Sequence, residues 1–155
     1  MLLNIEYRLT GIGWASCKLV SENSSCLISA SYLSDALYKL ISSAISVCTG
    51  VNRISFGFDE EPGEFRWIIK QSRINEIEIE IRSFEELWGG KPDEDGEVLF
   101  QTQCRPITFA KLVYATAQLI LEDIGESGYL EKWHEHPFPS TEFRELKRLI
   151  NKLPD

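Results

Sequence analysis

Short runs of alternating apolar and polar residues recur along this chain, and they constrain its fold more than any other feature. In the first third of the chain the runs cover residues 3–10, a stretch that ends at residue 20, and residues 26–32. Further runs cover residues 54–58, 65–69, 77–81 and 98–104. A period of two is that of a β-strand with one buried face. The pattern therefore predicts a largely antiparallel β-structure.

A Pro-Gly pair separates two of these runs and predicts a β-hairpin. If the turn centres on Pro62 and Gly63, the cross-strand pairs would be Phe58 with Trp67, Phe56 with Ile69, and Asp59 with Arg66. This register places apolar and charged pairs on opposite faces, as a sheet that is buried on one side requires.

Two longer stretches change to the period of an α-helix. From a predicted N-cap at Ser34, apolar residues recur at helical spacing until Gly50. A second helix is predicted from Pro106 toward Gly125, and a shorter one after Ser140. We predict a single α+β domain over residues 1–155, with a mainly antiparallel sheet of about six to seven strands, two long helices on one face and a short C-terminal helix.

The net charge of −8 is concentrated in one quarter of the chain. The segment Asp59–Glu97 contains 13 acidic and 5 basic residues, whereas the rest contains 11 of each. Uncompensated charge of one sign disfavours the compact state through self-repulsion. A basic partner, a bound metal or a need for solubility would each explain why the charge is present. Direct binding of nucleic acid is disfavoured, because the acidic segment would repel the phosphates.

Three glutamates form a row within this segment. Glu76, Glu78 and Glu80 would project from one face of a strand at intervals of roughly 6.5 to 7 Å, twice the rise per residue. That interval is close to the phosphate spacing of an extended nucleic acid strand. The row could imitate a phosphate backbone for a basic protein surface, or it could be a solvated face whose charge discourages edge pairing.

The loop after this row combines an aromatic residue with further acids. Trp88 is followed by two glycines and then by Asp93, Glu94 and Asp95. Trp88 could anchor an interface, since aromatic residues dominate binding hot spots, or it could pack over the sheet edge. The acidic triplet does not fit an EF-hand, because the twelfth position falls at Cys104.

Both histidines lie in the motif His134-Glu135-His136. Together with Glu131, one helical turn earlier, they could ligate a metal, but the prolines that follow favour a packed turn. The four cysteines contain no CxxC pair, which predicts reduced, buried thiols. We predict neither a metal site nor a cofactor. The sequence contains no recognisable glycine-rich phosphate loop, GxSxG or HExxH motif, or Ser/His/Asp order.

The first ten residues contain no long apolar run and do not begin with basic residues. This pattern predicts neither a signal peptide nor a membrane anchor. We therefore expect a cytoplasmic protein without a membrane partner.

The hairpin at residues 59–67, the glutamate row and the aromatic tail give the chain a resemblance to known proteins. The tail contains Gly128-Tyr129, Trp133 and Pro137-Phe138-Pro139. Together these features resemble the small, acidic immunity proteins that bacteria encode beside contact-dependent and other polymorphic toxins. The resemblance implies a non-enzymatic inhibitor that covers the active site of a basic toxin, such as a nuclease, with acidic side chains in place of substrate phosphates.

On this hypothesis, acidic residues and one aromatic residue bind the partner: Asp59, Glu60, Glu61, Glu64, Glu76, Glu78, Glu80, Trp88, Asp93, Glu94 and Asp95. The hypothesis requires that their carboxylates form one exposed patch that nearby arginines and lysines do not neutralise. The alternative is a small enzyme or ligand-binding domain with a pocket near Trp133, His134 and His136.

Overall fold

The chain folds as an α+β protein in a computed structural model that describes residues 3–86 and 90–154. Its strands are β1 (Leu3–Gly11), β2 (Trp14–Ser21), β3 (Ser25–Ser31), β4 (Arg53–Asp59), β5 (Glu64–Arg73), β6 (Glu76–Phe84) and β7 (Glu97–Cys104). Its helices are α1 (Ala36–Cys48), α2 (Pro106–Trp133) and α3 (Ser140–Lys152), and a short 3-10 turn covers Asp93–Asp95. The predicted α+β class is confirmed, but the seven strands are divided between two sheets where the sequence predicted one.

The strands form two antiparallel sheets that share one core. The first has the order β1-β2-β3 and the second has the order β4-β5-β6-β7. Alternate residues of each strand, such as Ile5 and Tyr7 in β1 or Ile79 and Ile81 in β6, are buried against the helices. The period of two in the sequence therefore corresponds to one buried and one outward face in each sheet.

The β4–β5 hairpin has a different register from the predicted one. Phe58 lies opposite Phe65, and Phe56 lies opposite Trp67, so the prediction is wrong by two residues. The loop covers residues 60–63 and is closed by a hydrogen bond from the Glu60 N–H to the Gly63 carbonyl (2.9 Å). Because a shift of two keeps every side chain on the same face, the separation of apolar and charged faces survives the error.

The first two helices differ from their predicted limits. α1 begins after Asp35, while the hydroxyl of the predicted cap, Ser34, accepts a hydrogen bond from the Asp59 N–H (3.4 Å). α2 does not end at Gly125 but continues to Trp133 beyond a kink at this glycine. Gly125 has φ 68° and ψ −179°, a conformation that glycine adopts readily and that interrupts the helix without ending it.

The buried residues form one cluster that joins both sheets to the three helices. The second half of α2 contributes Tyr129 and Trp133, which are fully buried.

The four cysteines are free; Cys17 and Cys104 are buried as predicted, and the other two are half-buried. Among residues 3–86 and 90–154, no helix has the length and apolar character needed to cross a membrane.

Candidate protein-binding surface

The outward face of the four-stranded sheet holds most of the predicted site residues. Because side chains alternate along a strand, the residues next to the buried ones all point to this face. They include Arg53 and Ser55 of β4, Glu64, Arg66 and Lys70 of β5, and Glu76, Glu78, Glu80 and Arg82 of β6. Basic and acidic side chains are thus interleaved here.

The glutamate row of β6 is charge-compensated. Lys70 Nζ lies 3.3 Å from Glu78, and Arg82 Nε lies 2.6 Å from Glu80. Glu76 accepts a hydrogen bond from Ser72 (2.8 Å), and its carboxylate is 3.9 Å from Arg73. The expectation of an uncompensated row is therefore wrong, because each carboxylate has a cation beside it: Lys70 and Arg73 from the paired strand, and Arg82 from the same strand.

A second group of charges surrounds Arg66. Its guanidinium donates hydrogen bonds to both carboxylate oxygens of Glu64 (3.0 and 3.1 Å) and to Asp93 (3.0 Å), and it lies 3.9 Å above the ring of Phe84. Arg53 donates to the other oxygen of Asp93 (2.9 Å). The side chains of Arg66 and Glu64 are each 13% exposed, so this pair is much less accessible to a partner than the sequence suggests.

Asp93 has a structural position. Burial disfavours its charged form, but hydrogen bonds from Arg53, Arg66 and Ser55 outweigh burial and lower the pKa of this carboxyl. Through these bonds Asp93 fastens the segment before β7 to the outward face of the sheet.

We call this segment, residues 91–96, the strap. Arg66 donates a hydrogen bond to the Lys91 carbonyl (2.7 Å), and Arg82 donates to the carbonyls of Glu94 (3.2 Å) and Gly96 (3.0 Å). A Cβ at Gly96 would lie 2.6 Å from Phe84, so the strap contacts the sheet too closely for a larger residue. The arginines of the sheet thus hold the strap across it.

Within the segment Asp59–Glu97, seven acidic residues have no ion pair to any described residue, and we call them the acidic end: Glu60, Glu61, Glu85, Glu86, Glu94, Asp95 and Glu97. Six are exposed, and Glu60 is half-buried. Lys91, the remaining basic residue of this quarter, is also exposed.

Strand direction explains why five of these residues lie together, whereas Glu94 and Asp95 belong to the strap. β4 and β6 end where β7 begins, so residues 60–61, 85–86 and 97 belong to the same end of the antiparallel sheet. The hairpin and the end of β6 also touch, because a Cβ at Gly63 would lie 2.5 Å from the Phe84 carbonyl oxygen. The sequence prediction omitted Glu85, Glu86 and Glu97. Their positions immediately after or at the start of strands were the available signal.

The remaining predicted site residues have mixed outcomes. Asp59 is only 6% exposed, so it does not lie on the open surface. Trp88 lies outside the described residues. Glu60, Glu61, Glu94 and Asp95, which the sequence analysis predicts as partner-binding residues, all belong to the acidic end.

The alternative site near the histidines is built as a packed turn. Trp133 is fully buried, and its indole N–H donates to the Ser34 carbonyl (3.3 Å). The His136 ring lies 3.2 Å from the Tyr32 carbonyl oxygen and 3.7 Å from Asp35. No three His, Cys, Asp or Glu side chains in the described ranges converge as metal ligands.

A groove of about 590 Å³ lies elsewhere, between β1 and α2. Its lining includes Ile5, Leu9 and Ile120, and the Thr116 hydroxyl accepts a hydrogen bond from the Tyr7 N–H at this place (2.8 Å). None of the predicted site residues lines this groove, so it is separate from the acidic end.

No protein-family model and no curated protein sequence matches the chain at a significant level. Among solved structures, a chain of the CdiA-CT/CdiI toxin and immunity complex from Enterobacter cloacae is similar, with a TM-score of 0.47 and 8% identity. The match covers 76% of the present chain and 99% of that chain.

Proposed function

We propose that this chain is a non-enzymatic binding protein whose acidic end receives a basic protein. More specifically, it would act in the cytoplasm as an immunity protein that neutralises a cognate toxin, such as a nuclease, by covering its active site. The observation that supports this function is a set of seven acidic residues without an ion pair to any described residue, five at one end of the four-stranded sheet and two in the strap.

The proposal follows from the energetics of like charges. Carboxylates held close together repel one another, and this repulsion is relieved when a partner brings cations to them. Such complementarity increases the association rate and makes the rate sensitive to salt. A toxin that binds phosphates needs a cationic active site, which the carboxylates of the acidic end would match.

The ion pairs of the sheet face give the surface its rigidity. Arg66 and Arg82 hold the strap across the sheet, and the strap carries the exposed Glu94 and Asp95. The acids on the sheet face and in the strap that have cationic neighbours stay predicted partner contacts, but their compensated charges favour a supporting role: Glu64, Glu76, Glu78, Glu80 and Asp93. We therefore assign the main electrostatic contribution to Glu60, Glu61, Glu94 and Asp95.

A genetic experiment tests the proposed activity. The C-terminal domain encoded by the reading frame next to the gene would be expressed alone and together with this chain. We expect a basic domain that arrests growth alone and is harmless when co-expressed, with a stable complex on purification. A harmless domain, or growth arrest that co-expression does not relieve, would contradict the immunity function.

Kinetics with two matched variants would locate the contact. Glu60→Gln/Glu61→Gln and Glu78→Gln/Glu80→Gln change the net charge equally. Because charges interact over only about 8 Å at about 0.15 M salt, a difference between the two variants reports on charges close to the contact. We expect the first variant to slow association with the toxin domain by roughly fivefold and the second to change it far less. Equal slowing by both variants would remove the acidic end as the specific contact.

A further inference from the structure

Four large apolar side chains are exposed close to the acidic end, and we call them the apolar patch. They are Ile12 (69% exposed), Trp14 (39%), Tyr32 (38%) and Leu33 (37%). Single exposed apolar residues are common in soluble proteins, whereas a group of them marks an interaction surface. The patch has this meaning only if the fold holds its residues together.

Backbone hydrogen bonds join the segments that carry the patch. The Gly13 N–H donates to the Lys132 carbonyl (2.7 Å), and the Tyr32 N–H donates to the Gly13 carbonyl (2.9 Å). Gly13 has φ +77°, and a Cβ there would lie 2.9 Å from the Tyr32 ring. The β1–β2 turn, the end of β3 and the end of α2 thus meet at a fixed point.

The apolar patch and the acidic end are adjacent. The hydroxyl of Ser34, the residue after Leu33, accepts a hydrogen bond from the N–H of Asp59, the residue before Glu60. The Ser34 carbonyl in turn accepts from the buried Trp133 indole. One buried contact therefore ties the two surfaces together.

We propose that the apolar patch and the acidic end form one docking surface for a basic protein that exposes apolar side chains next to its arginines and lysines. This inference rests on the proposed function and adds the part of the surface that supplies apolar contact. Aromatic and aliphatic anchors contribute most of the affinity of protein interfaces, while charges at their rim increase the association rate.

Charge argues against other occupants of the apolar patch. A second copy of the chain would bring one acidic end toward another, and an anionic membrane surface or a nucleic acid would be repelled in the same way. A basic protein is the occupant that compensates the carboxylates while it covers Trp14 and Leu33.

Two peptides of equal length and charge can test the surface in the absence of a toxin domain. One alternates arginine with leucine, and the other alternates arginine with serine. Their dissociation constants would be measured at low salt against the wild-type chain, Trp14→Ser/Leu33→Ser, Glu60→Gln/Glu61→Gln and the control Ile74→Ser. Ile74 is 94% exposed and lies in the β5–β6 turn, at the opposite end of the sheet.

We expect the wild-type chain and Ile74→Ser to bind the leucine peptide about tenfold more tightly than the serine peptide. Trp14→Ser/Leu33→Ser should lose this preference but keep its affinity for the serine peptide, and Glu60→Gln/Glu61→Gln should bind both peptides more weakly. If the Trp14 and Leu33 variant keeps the preference, the apolar patch is not part of the surface, although the proposed function stands. If the wild-type chain binds neither peptide, the acidic end does not receive basic partners and both proposals fail.

Discussion

The outward face of the four-stranded sheet and its acidic end contain the same types of residue in very different electrostatic states. On the face, Glu64, Glu78 and Glu80 each have a cation within 3.3 Å. At the end, Glu60 and Glu61 have none among the described residues. Local acidic composition therefore does not reveal where charge stays available to a partner.

Position within the strands accounts for the difference, because a strand places cations on the same face both from the paired strand and two residues along its own chain. Lys70 lies directly opposite Glu78, and Arg66 lies directly opposite Arg82. Two arginines face to face would repel each other, but the carboxylates of Glu64 and Glu80 and the carbonyls of the strap surround them. Glu60, Glu61, Glu85 and Glu86 lie beyond the strand ends, where no described cation is placed beside them.

The largest expected effect separates a half-buried ion pair from an exposed one. Arg66→Ala leaves Glu64 and Asp93 with one cation fewer, and we expect it to lower the free energy of unfolding by about 3 kcal/mol. Arg8→Ala is the matched control, because Arg8 pairs with Glu6 at the same spacing but is 74% exposed, and it should cost less than about 1 kcal/mol. Urea unfolding measures both substitutions. Similar losses of unfolding free energy would mean that the ion pairs of the sheet face stabilise the fold no more than an exposed pair does.

The next effect tests the fit of the strap. Gly96→Ala places a Cβ against Phe84 and the Arg82 side chain, and we expect it to destabilise the fold by about 2 kcal/mol. Gly11→Ala is the control, since a Cβ there has no described atom within 4 Å. Thermal unfolding that shows no difference between the two variants would contradict a strap that is tightly held.

A smaller effect appears in the pH dependence of two aspartates. The pKa of Asp93 is lowered, since hydrogen bonds from Arg53 and Arg66 outweigh burial, so its stabilising contribution should be present above about pH 4 and be lost as the pH falls through the lower folded-state pKa. The pKa of Asp35 is raised by burial, which His136 offsets only in part, so its contribution should be present at low pH and be lost as the pH rises through the raised pKa.

Asn substitutions at the two positions measure these contributions. Asp93→Asn should cost about 1–2 kcal/mol at neutral pH and progressively less in acid. Compared with the wild-type chain at the same pH, Asp35→Asn should be more stable at neutral pH than in acid. Urea unfolding of the wild-type chain and both variants from acid to neutral pH gives the change in unfolding free energy that each substitution causes at each pH. If the two changes vary with pH in the same direction, the contrast between Asp93 and Asp35 is wrong.

The smallest effect belongs to the acidic end itself. Glu60→Gln/Glu61→Gln removes charges that have no described ion pair, so the free energy of unfolding should change by less than about 0.5 kcal/mol and should rise rather than fall. Glu78→Gln/Glu80→Gln should lower it, because Lys70 and Arg82 lose their partners. A loss of stability at the hairpin as large as that on the strand would erase the comparison between the two regions.

Local patterns predicted much of the fold and less of the surface. The alternation in β1 and β6 and the helical spacing in α1 were sufficient to predict these elements, because each element buries one periodic face. The hairpin register failed because two registers that differ by two residues preserve the same faces. The sequence indicated the interruption at Gly125 but not the helical segment that follows it, in which the side chains of Tyr129 and Trp133 are buried.

By itself, the sequence determined the α+β class and the concentration of acidic residues in one quarter of the chain, because both follow from composition and from periods of two and 3.6 residues. Tertiary structure decided which carboxylates are compensated by residues distant in sequence, such as Asp93. Arg53, Arg66 and Asp93 come from two strands and the strap, so their distances depend on strand order and on how the strap crosses the sheet. Electrostatic interactions depend on distances in space, and separation along the chain does not fix those distances.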